Sequence, residues 1–537
     1  MTSSKRAMVY ALIIGLVTIA VVLIVFYREL GGFEKVQYDD AYITYRYVYN
    51  LGHGQGLRFN PSDSTNSASS FLFAIALFFF SLGGRLSLPL VASVLNITSL
   101  VLLSASIAYI PLKLNPNLLG KLTAIGASFI TASGGYVAYW MMSGMETIFV
   151  MSILGIYLAL VATQTNDLLN GDMKSWRRVC FVGLLLSLSR LEAAMVVTVS
   201  TALFYALYLY KNWRRGKENL RVALYGATPG LGTGLLLLFY RLYYGHFLPD
   251  PMAFKELARY YRRTPKQSLQ ISSDFLLHDS AWLSKIAILL VVLALGKGIK
   301  DRKLNMSVLF SVVVLGLWLI ALVNSPHSDE MRYQLPLLVA LGVIVATSVS
   351  YILSSLTNRT ALAAVMLLGT ITVLATATSN YRQFKKIRMS TSWSWEIQQA
   401  RIDLGKQISG KIPSGSRVWS GDLGALSFYD HKNIYIDGAA LVNHQLLEVV
   451  RSSGDYAREI ARQNPDYIAD SVGESDGRPS VLSIFDAPQN YYEPVKTRTT
   501  SSCSSTDTIS LTELLRSETP TAPIDVRLFQ IRWKGCK

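Results

Sequence analysis

VCFVGLLLSLSRLEAAMVVTVSTALFYALYLY, residues 179–210, is an apolar run interrupted only by Arg190 and Glu192. A hydrocarbon core takes about 20 residues of helix, so a run of about 32 is too long for one ordinary crossing and reads as two short helices turning at the charges. Lys174, Arg177 and Arg178 precede it, and Lys211, Arg214, Arg215, Lys217 and Arg221 follow it. Basic residues gather on the cytoplasmic side of membrane helices, so both flanks belong inside and the turn outside.

Working outward, further apolar stretches lie near 7–27, 88–110, 122–140, 145–163, 222–241, 281–297, 305–324, 333–354 and 360–378. With the hairpin they make eleven crossings. Lys5 and Arg6 precede the first, and no small-x-small cleavage site comes before Tyr27-Arg28-Glu29, so it reads as a retained anchor with the N-terminus cytoplasmic. The basic run Lys297, Lys300, Arg302 and Lys303 is then also inside. Were residues 67–83 to span as well, every basic loop would face outward. That segment is therefore expected to be interfacial or re-entrant on the outer leaflet.

Composition agrees with a membrane chain: 51% hydrophobic and 16% charged residues, with a mean hydropathy of +0.32, leave too little polar surface for a soluble protein. The formal charge of +16 is spread over short loops between apolar segments, so topology explains it better than a nucleic-acid partner. The three cysteines, Cys180, Cys503 and Cys536, fit no zinc spacing; Cys503 and Cys536 are candidates to pair if their domain is extracytoplasmic.

Two domains follow. Residues 1–380 form a polytopic all-α bundle whose first outer loop spans 28–87. A polar, basic connector near Ser379–Trp395 leads into 381–537, where SRVWS (416–420), IYID (434–437), DYIAD (466–470) and VRLFQIRW (526–533) alternate with helical stretches such as 442–462. A small extracytoplasmic α/β domain fits that alternation.

Ionisable residues avoid the middle of the spans. Asp39, Asp40, Glu146, Arg190, Glu192, Lys255, Asp329, Glu330 and Arg332 all fall at outer ends, which argues against a transporter with a midplane site and for one extracytoplasmic cavity. The first outer loop, YDDAYITYRYVYNLGHGQGLRFNPSDSTNS (38–67), repeats tyrosine at 38, 42, 45 and 49, a helical stripe with Asp39 and Asp40 in its first turn. Either the two carboxylates cap a surface helix or they carry chemistry. The glycines of GHGQG do not form a phosphate fingerprint.

This loop resembles the first outer loop of the GT-C membrane glycosyltransferases, most closely the branch containing the mycobacterial terminal β-1,2-arabinofuranosyltransferase. Further matches follow in order: Ser143-Gly144-Met145-Glu146-Thr147, Ser189-Arg190-Leu191-Glu192, Tyr244-Gly245-His246-Phe247-Leu248-Pro249 with Lys255, Arg332-Tyr333 with Pro336, and GDLGALSFYDHKNIYIDGAALVN (421–443). The resemblance implies a multi-pass plasma (inner) membrane enzyme that moves a sugar from a polyprenyl-phosphate donor to an extracytoplasmic glycan, lipid or protein acceptor. Asp39 or Asp40, unranked, would be the base. Arg332, Lys255, His246 and Arg190 are the candidates for the donor phosphate, and Glu146, Glu192, Tyr42 and Arg46 for the sugar or acceptor. Asp39, Asp40 and Glu146 are the ligands if a divalent cation is used, although no dedicated ligand pattern requires one.

Plainer roles stand beside these. Arg332 can snorkel as an interfacial anchor, Lys255 can belong to a solvated basic stretch with Arg262, Arg263 and Lys266, Arg190 can simply pair with Glu192, Glu146 can cap its helix, and a lone His246 can be structural. Trp393, Trp395, Tyr429, His431 and Asp437 are either acceptor contacts or scaffold. A lipid-linked-sugar transporter or a non-catalytic envelope-assembly factor of the same architecture is the alternative function.

Overall fold

The computed structural model describes residues 3–29, 37–61, 63–68, 70–258, 264–279, 281–301, 305–323, 331–353, 359–473, 479–492, 505, 509–519 and 524–534. Asp329, Glu330, Arg262, Arg263, Cys503 and Cys536 lie outside them. Cys180 is buried with a free thiol.

From the N-terminus the helices run α1 (Ser3–Glu29), α2 (Asp39–Gly52), α3 (Phe71–Phe80), α4 (Leu88–Leu114), α5 (Leu118–Ala132) and α6 (Gly135–Met142). They continue as α7 (Thr147–Leu169), α8 (Met173–Ser189), α9 (Leu191–Asn212), α10 (Gly216–Tyr244), α11 (Asp250–Leu257) and α12 (Pro265–Asp274). Then come α13 (Ala281–Lys300), α14 (Met306–Leu322), α15 (Leu335–Leu353) and α16 (Arg359–Lys411). Among the described residues, six helices are long and apolar enough to cross a bilayer: α1, α4, α7, α9, α10 and α15. A seventh is added if the 90° bend between Pro265–Asp279 and Leu283–Lys300 is one broken span. The remaining apolar stretches hold α5, α8, α13, α14 and the first part of α16. Helix α3 has 10 residues, about 15 Å of rise and half the thickness of a hydrocarbon core.

Residues 179–210 form the expected pair of helices. Arg190 alone breaks them, in extended backbone with φ −158 and ψ 147. Upstream, the Asp172 carboxylate accepts from the Ser175 N–H at 2.9 Å and starts α8. The stretch 122–140, expected as one span, is two helices, and the reason lies in α16. Asn380 Nδ2 donates to Ser133 Oγ at 2.8 Å, and the Gly135 N–H donates to Gln383 Oε1 at 3.1 Å. A β-carbon on Gly135 would come within 3.0 Å of Gln383 Cβ and of the Phe384 nitrogen, so the α5–α6 break admits α16 only because residue 135 lacks one.

Helix α15 is the centre of the bundle. It packs against α4, α5, α7, α13 and α14 and is buried on nearly every face, as a helix that is apolar all round must be. Around it the small residues Ser, Thr, Ala and Gly recur at helix contacts, where they allow close approach.

The polar connector expected near 379–395 is part of the continuous, 53-residue α16. Its charges follow helical period: Phe384 and Ile387 are buried while Arg382, Lys385 and Lys386 are exposed. The C-terminal domain then forms β1 (Arg417–Ser420), α17 (Gly424–Tyr429), β2 (Ile434–Asp437), α18 (His444–Arg451), α19 (Tyr456–Gln463), β3 (Tyr467–Gly473), α20 (Ser480–Asp486), β4 (Ile509–Ser517) and β5 (Ile524–Trp533). The sheet order is β2-β1-β3-β5-β4, parallel between β1 and its two neighbours and antiparallel from β3 through β5 to β4. The four β-like runs are strands; β4 is additional, and its irregular burial with a bulge between Glu513 and Leu515 hides it from a period-two reading. The helical stretch 442–462 is divided in two at Ser452–Asp455, where Ser453 has φ 56.

Arg46 on α2 locks the two domains together. Its guanidinium donates to the carbonyls of Phe59 at 2.8 Å and Asn433 at 2.8 Å, to Asn60 Oδ1 at 3.0 Å, and to the Ser427 carbonyl. It lies over the Phe59 and Tyr435 rings, 4.8 and 5.3 Å from their centroids. A buried polar group left unpartnered costs about 1–3 kcal/mol. Arg46→Ala is therefore expected to destabilise the protein by about 3 kcal/mol, from the orphaned Ser427 and Asn433 carbonyls together. Thermal unfolding in detergent checks this; an unchanged midpoint would show that the guanidinium does not hold the domains.

Candidate functional site

A cavity of ≈ 490 Å³ opens where the start of α2, the end of α6, α11, α16 and the C-terminal domain meet. Asp39, Asp40, Tyr139, Trp395, Arg401 and Asp422 are among its walls. The two neighbouring carboxylates at its rim have different surroundings. Asp39 accepts from the backbone N–H groups of Gly424 at 3.0 Å and Ala425 at 2.9 Å, so it caps α17 from the other domain. The approach is so close that a β-carbon on Gly424 would lie 2.0 Å from the Asp39 carbonyl oxygen. Asp40 instead keeps its side chain 42% exposed and faces Arg332, whose Nη1 is 3.7 Å from Oδ2.

Behind Asp40 the charges converge on one phenol. Tyr333 lies just before α15, which begins at Leu335, and receives hydrogen bonds from Lys255 Nζ at 2.5 Å and Arg332 Nη2 at 2.9 Å. The Arg190 guanidinium lies over its ring, 4.9 Å from the centroid. Arg190 also donates to Glu146 at 3.0 Å and to Glu192 at 3.3 and 3.4 Å. Burial by itself would raise the Tyr333 phenol, but Arg332, then Lys255 and Arg190, outweigh it and bring it down to about 8. The same phenol, with Glu146 and Asp40, raises Arg332 well above its ordinary value against the opposing effect of burial. A crevice too small for more than a water is walled in part by Arg190, Glu192, Arg332 and Tyr333 of the cluster and in part by Val150, Trp318, Leu322 and Pro336. Asp40, which lines the cavity, joins it to this cluster through Arg332.

Five of the residues expected at a site, Asp40, Glu146, Arg190, Glu192 and Arg332, meet here, and Lys255 joins them through Tyr333. Arg190 does pair with Glu192, but within this larger network. Glu146 occupies the N-cap position of α7 without capping it through its side chain; the carboxylate is turned to Arg190. Tyr333 is the member of the cluster that the sequence marks least, only by its adjacency to Arg332 at a helix start.

Three expected residues lie elsewhere. His246 contacts Asp250 and His444. Arg46 is consumed by the domain contact described above. Tyr42 packs against Tyr45, Phe428 and Tyr429. Each also has a partner far along the chain, His444 for His246, Ser427 and Asn433 for Arg46 and Phe428 for Tyr42, which local spacing does not encode. Asp39, Asp40 and Glu146 are not gathered as a metal-binding set; among the described residues only His246, Asp250 and His444 bring three such ligand atoms together. Of the expected acceptor contacts, Trp395 lines the cavity. Asp437 is spent on the N–H groups of Ala439 at 2.6 Å and Val442 at 2.5 Å, His431 lies against Tyr49, and Tyr429 packs on Tyr42. The Trp393 side chain is outside the described residues.

The whole architecture is similar to that of ArnT from Cupriavidus metallidurans bound to undecaprenyl phosphate, with a TM-score of 0.57 at 10% identity over 96% of this chain and 97% of that one. The chain has a GT-C-type fold. An oligosaccharyltransferase from Archaeoglobus fulgidus in its apo form shares this fold, with a TM-score of 0.52 at 12% identity over 90% of this chain and 71% of that one. Residues 387–512, from the last part of α16 into β4, match a family described as "Domain of unknown function (DUF8728)". No curated protein sequence matches the chain.

Within this cluster the Tyr333 phenol is brought down from an ordinary value of 10.0 to about 8. A folded-state value below the unfolded one adds stability that is fully present above the unfolded value and is lost as pH falls through the folded one. Stability should therefore rise between about pH 8 and 10 from this group. An ultraviolet difference titration should detect one tyrosinate forming near pH 8 and lose it in Tyr333→Phe. A spectrum with no such early step would contradict the cation cluster.

Proposed function

We propose that this chain is a multi-pass membrane glycosyltransferase that takes a sugar from a polyprenyl-phosphate carrier and transfers it to an extracytoplasmic acceptor. The observation that carries this reading is the Asp40–Arg332–Tyr333 arrangement: an accessible carboxylate on the cavity side of a group of three cations. The phosphate would lie against Arg332, Lys255 and Arg190, and the sugar in the cavity beside Asp40. The GT-C-type fold and the order of the sequence motifs support it.

In a single inverting displacement the acceptor hydroxyl oxygen attacks the anomeric carbon and gives its proton to Asp40. The bond from that carbon to the phosphate oxygen breaks, and the electron pair leaves with the lipid phosphate. Charge therefore grows on the phosphate in the transition state, where prepositioned cations stabilise it more than they do the ground state. Asp39 serves as the joint that holds α17 against α2, and so fixes where Asp40 points. Glu146 and Glu192 orient Arg190. The sequence resemblance favours arabinofuranose as the sugar. Sidedness follows from the basic loops: the N-terminus is cytoplasmic, the cavity and the C-terminal domain are outside, and α3 packs on the outer leaflet.

Purified protein incubated with a panel of polyprenyl-phosphate sugars should release lipid phosphate with one of them, arabinofuranose first. Removing a general base costs about 10²–10⁴-fold, so Asp40→Asn should lose turnover on that scale and still bind donor. Asp39→Asn should lower the thermal midpoint, with a smaller loss of turnover. Donor movement across vesicles without release of lipid phosphate would instead establish a transporter. Reporter fusions at residues 170 and 300 should both read as cytoplasmic; an outward signal at either would overturn the sidedness.

A further inference from the structure

His246, Asp250 and His444 meet at the junction between the domains, away from the cavity. His246 follows the Gly245 turn that ends α10, where φ is 90; Asp250 opens α11, and His444 opens α18. Their ligand atoms all lie within 4.8 Å of one another. His444 Nδ1 is 2.7 Å from Asp250 Oδ1, His246 Nε2 is 3.5 Å from Asp250 Oδ2, and the two imidazoles stack with centroids 4.2 Å apart. Asp250 is 2% exposed, and its Oδ2 is held by the Asn66 N–H at 2.7 Å.

The donor count around His246 is short by one. Its Nδ1 lies 3.1 Å from the Leu248 carbonyl oxygen, and its Nε2 lies 3.2 Å from the Ser64 carbonyl oxygen and faces the Asp250 carboxylate as well. Both ring nitrogens thus face oxygen acceptors, whereas a neutral imidazole has one N–H. If Nδ1–H donates to Leu248, the Nε2 lone pair points at oxygens unless a cation stands between them. A metal-bound histidine commonly has this layout, with one nitrogen on the ion and the other N–H on a backbone carbonyl.

We propose that His246 Nε2, Asp250 and His444 Nδ1 bind a divalent transition-metal ion of the zinc class, with the Ser64 carbonyl or a water as fourth ligand. Two imidazoles and a carboxylate suit such an ion better than calcium or magnesium, which prefer all-oxygen sets. Its role is structural: it clamps the C-terminal domain to the chain segment that begins α11. That helix carries Lys255, bonded to Tyr333, and Phe254, which lines the cavity. The ion therefore steadies one wall of the site without entering the reaction, and the inference does not depend on which reaction the site performs.

The test uses full-length protein in detergent, with its affinity tag removed and its metal stripped by a chelator. Titration with Zn²⁺ by calorimetry, and with Co²⁺ by visible absorption, should show one saturable equivalent that raises the thermal midpoint and is reversed by the chelator. His246→Gln and His444→Asn each retain a hydrogen-bonding group. Changes to the outer partners of metal ligands already cost tenfold or more, so each variant should weaken binding by at least about tenfold, with its metal-free midpoint near that of the parent. Absence of a saturable equivalent for both ions would overturn the proposal. So would undiminished binding by the double variant, which would mark the ion as an adventitious surface contact.

Discussion

Three cations and three carboxylates, gathered around one phenol at the start of the central helix, set the constraint that the rest of the molecule satisfies. Charges taken out of water are tolerated only when each finds a partner, because removing one member strands the others at a cost of several kcal/mol. Here the partners come from separate connections along the chain: Asp40 from α2, Glu146 from the turn before α7, Arg190 and Glu192 from the α8–α9 turn, Lys255 from α11, and Arg332 with Tyr333 from the entry to α15. The network therefore draws five connections of the bundle to the same end. The enclosure of α15 by its neighbours gives that end a rigid base.

The two adjacent aspartates show how position divides chemistry between like groups. Successive residues in a first helical turn point about 100° apart. Asp39 consequently meets the backbone of α17, while Asp40 meets Arg332 and the cavity. One carboxylate is saturated by two N–H groups and the other is left with access to solvent. The base of the proposed transfer needs that access, and a joint between domains needs the saturation.

Much of this was legible in the sequence because it follows from the bilayer. Long apolar runs located the helices, the length of 179–210 located its turn at Arg190, and the exclusion of charge from hydrocarbon placed Asp40, Glu146, Arg190, Glu192 and Arg332 at helix ends, where the structure brings them together. Relations between distant segments were not legible. Nothing local to Asp39 announces Gly424, 385 positions away, and nothing local to Arg46 announces Ser427 and Asn433. The split of 122–140 depends on α16 lodging at Gly135. Conversely, the polar composition of 379–395 suggested a linker, although its buried residues already followed helical spacing at Phe384 and Ile387.

The C-terminal domain is part of the site as well as an appendage to the bundle. Its Asp422 receives Arg401 of α16 at 2.5 Å and the Ser471 N–H at 3.0 Å, so the cavity wall facing Asp40 is itself built on a fixed ion pair. Burial first, then the neighbouring Asp422, raises Asp470 above the ordinary carboxylate value, against the lowering effect of Ser480, Val481 and Gly421. A cavity with one wall from the bundle and one from the second domain can have its two linings altered separately. Arg401 and Asp422 can thus be altered while Asp40, Arg332 and Tyr333 keep their contacts on the bundle side.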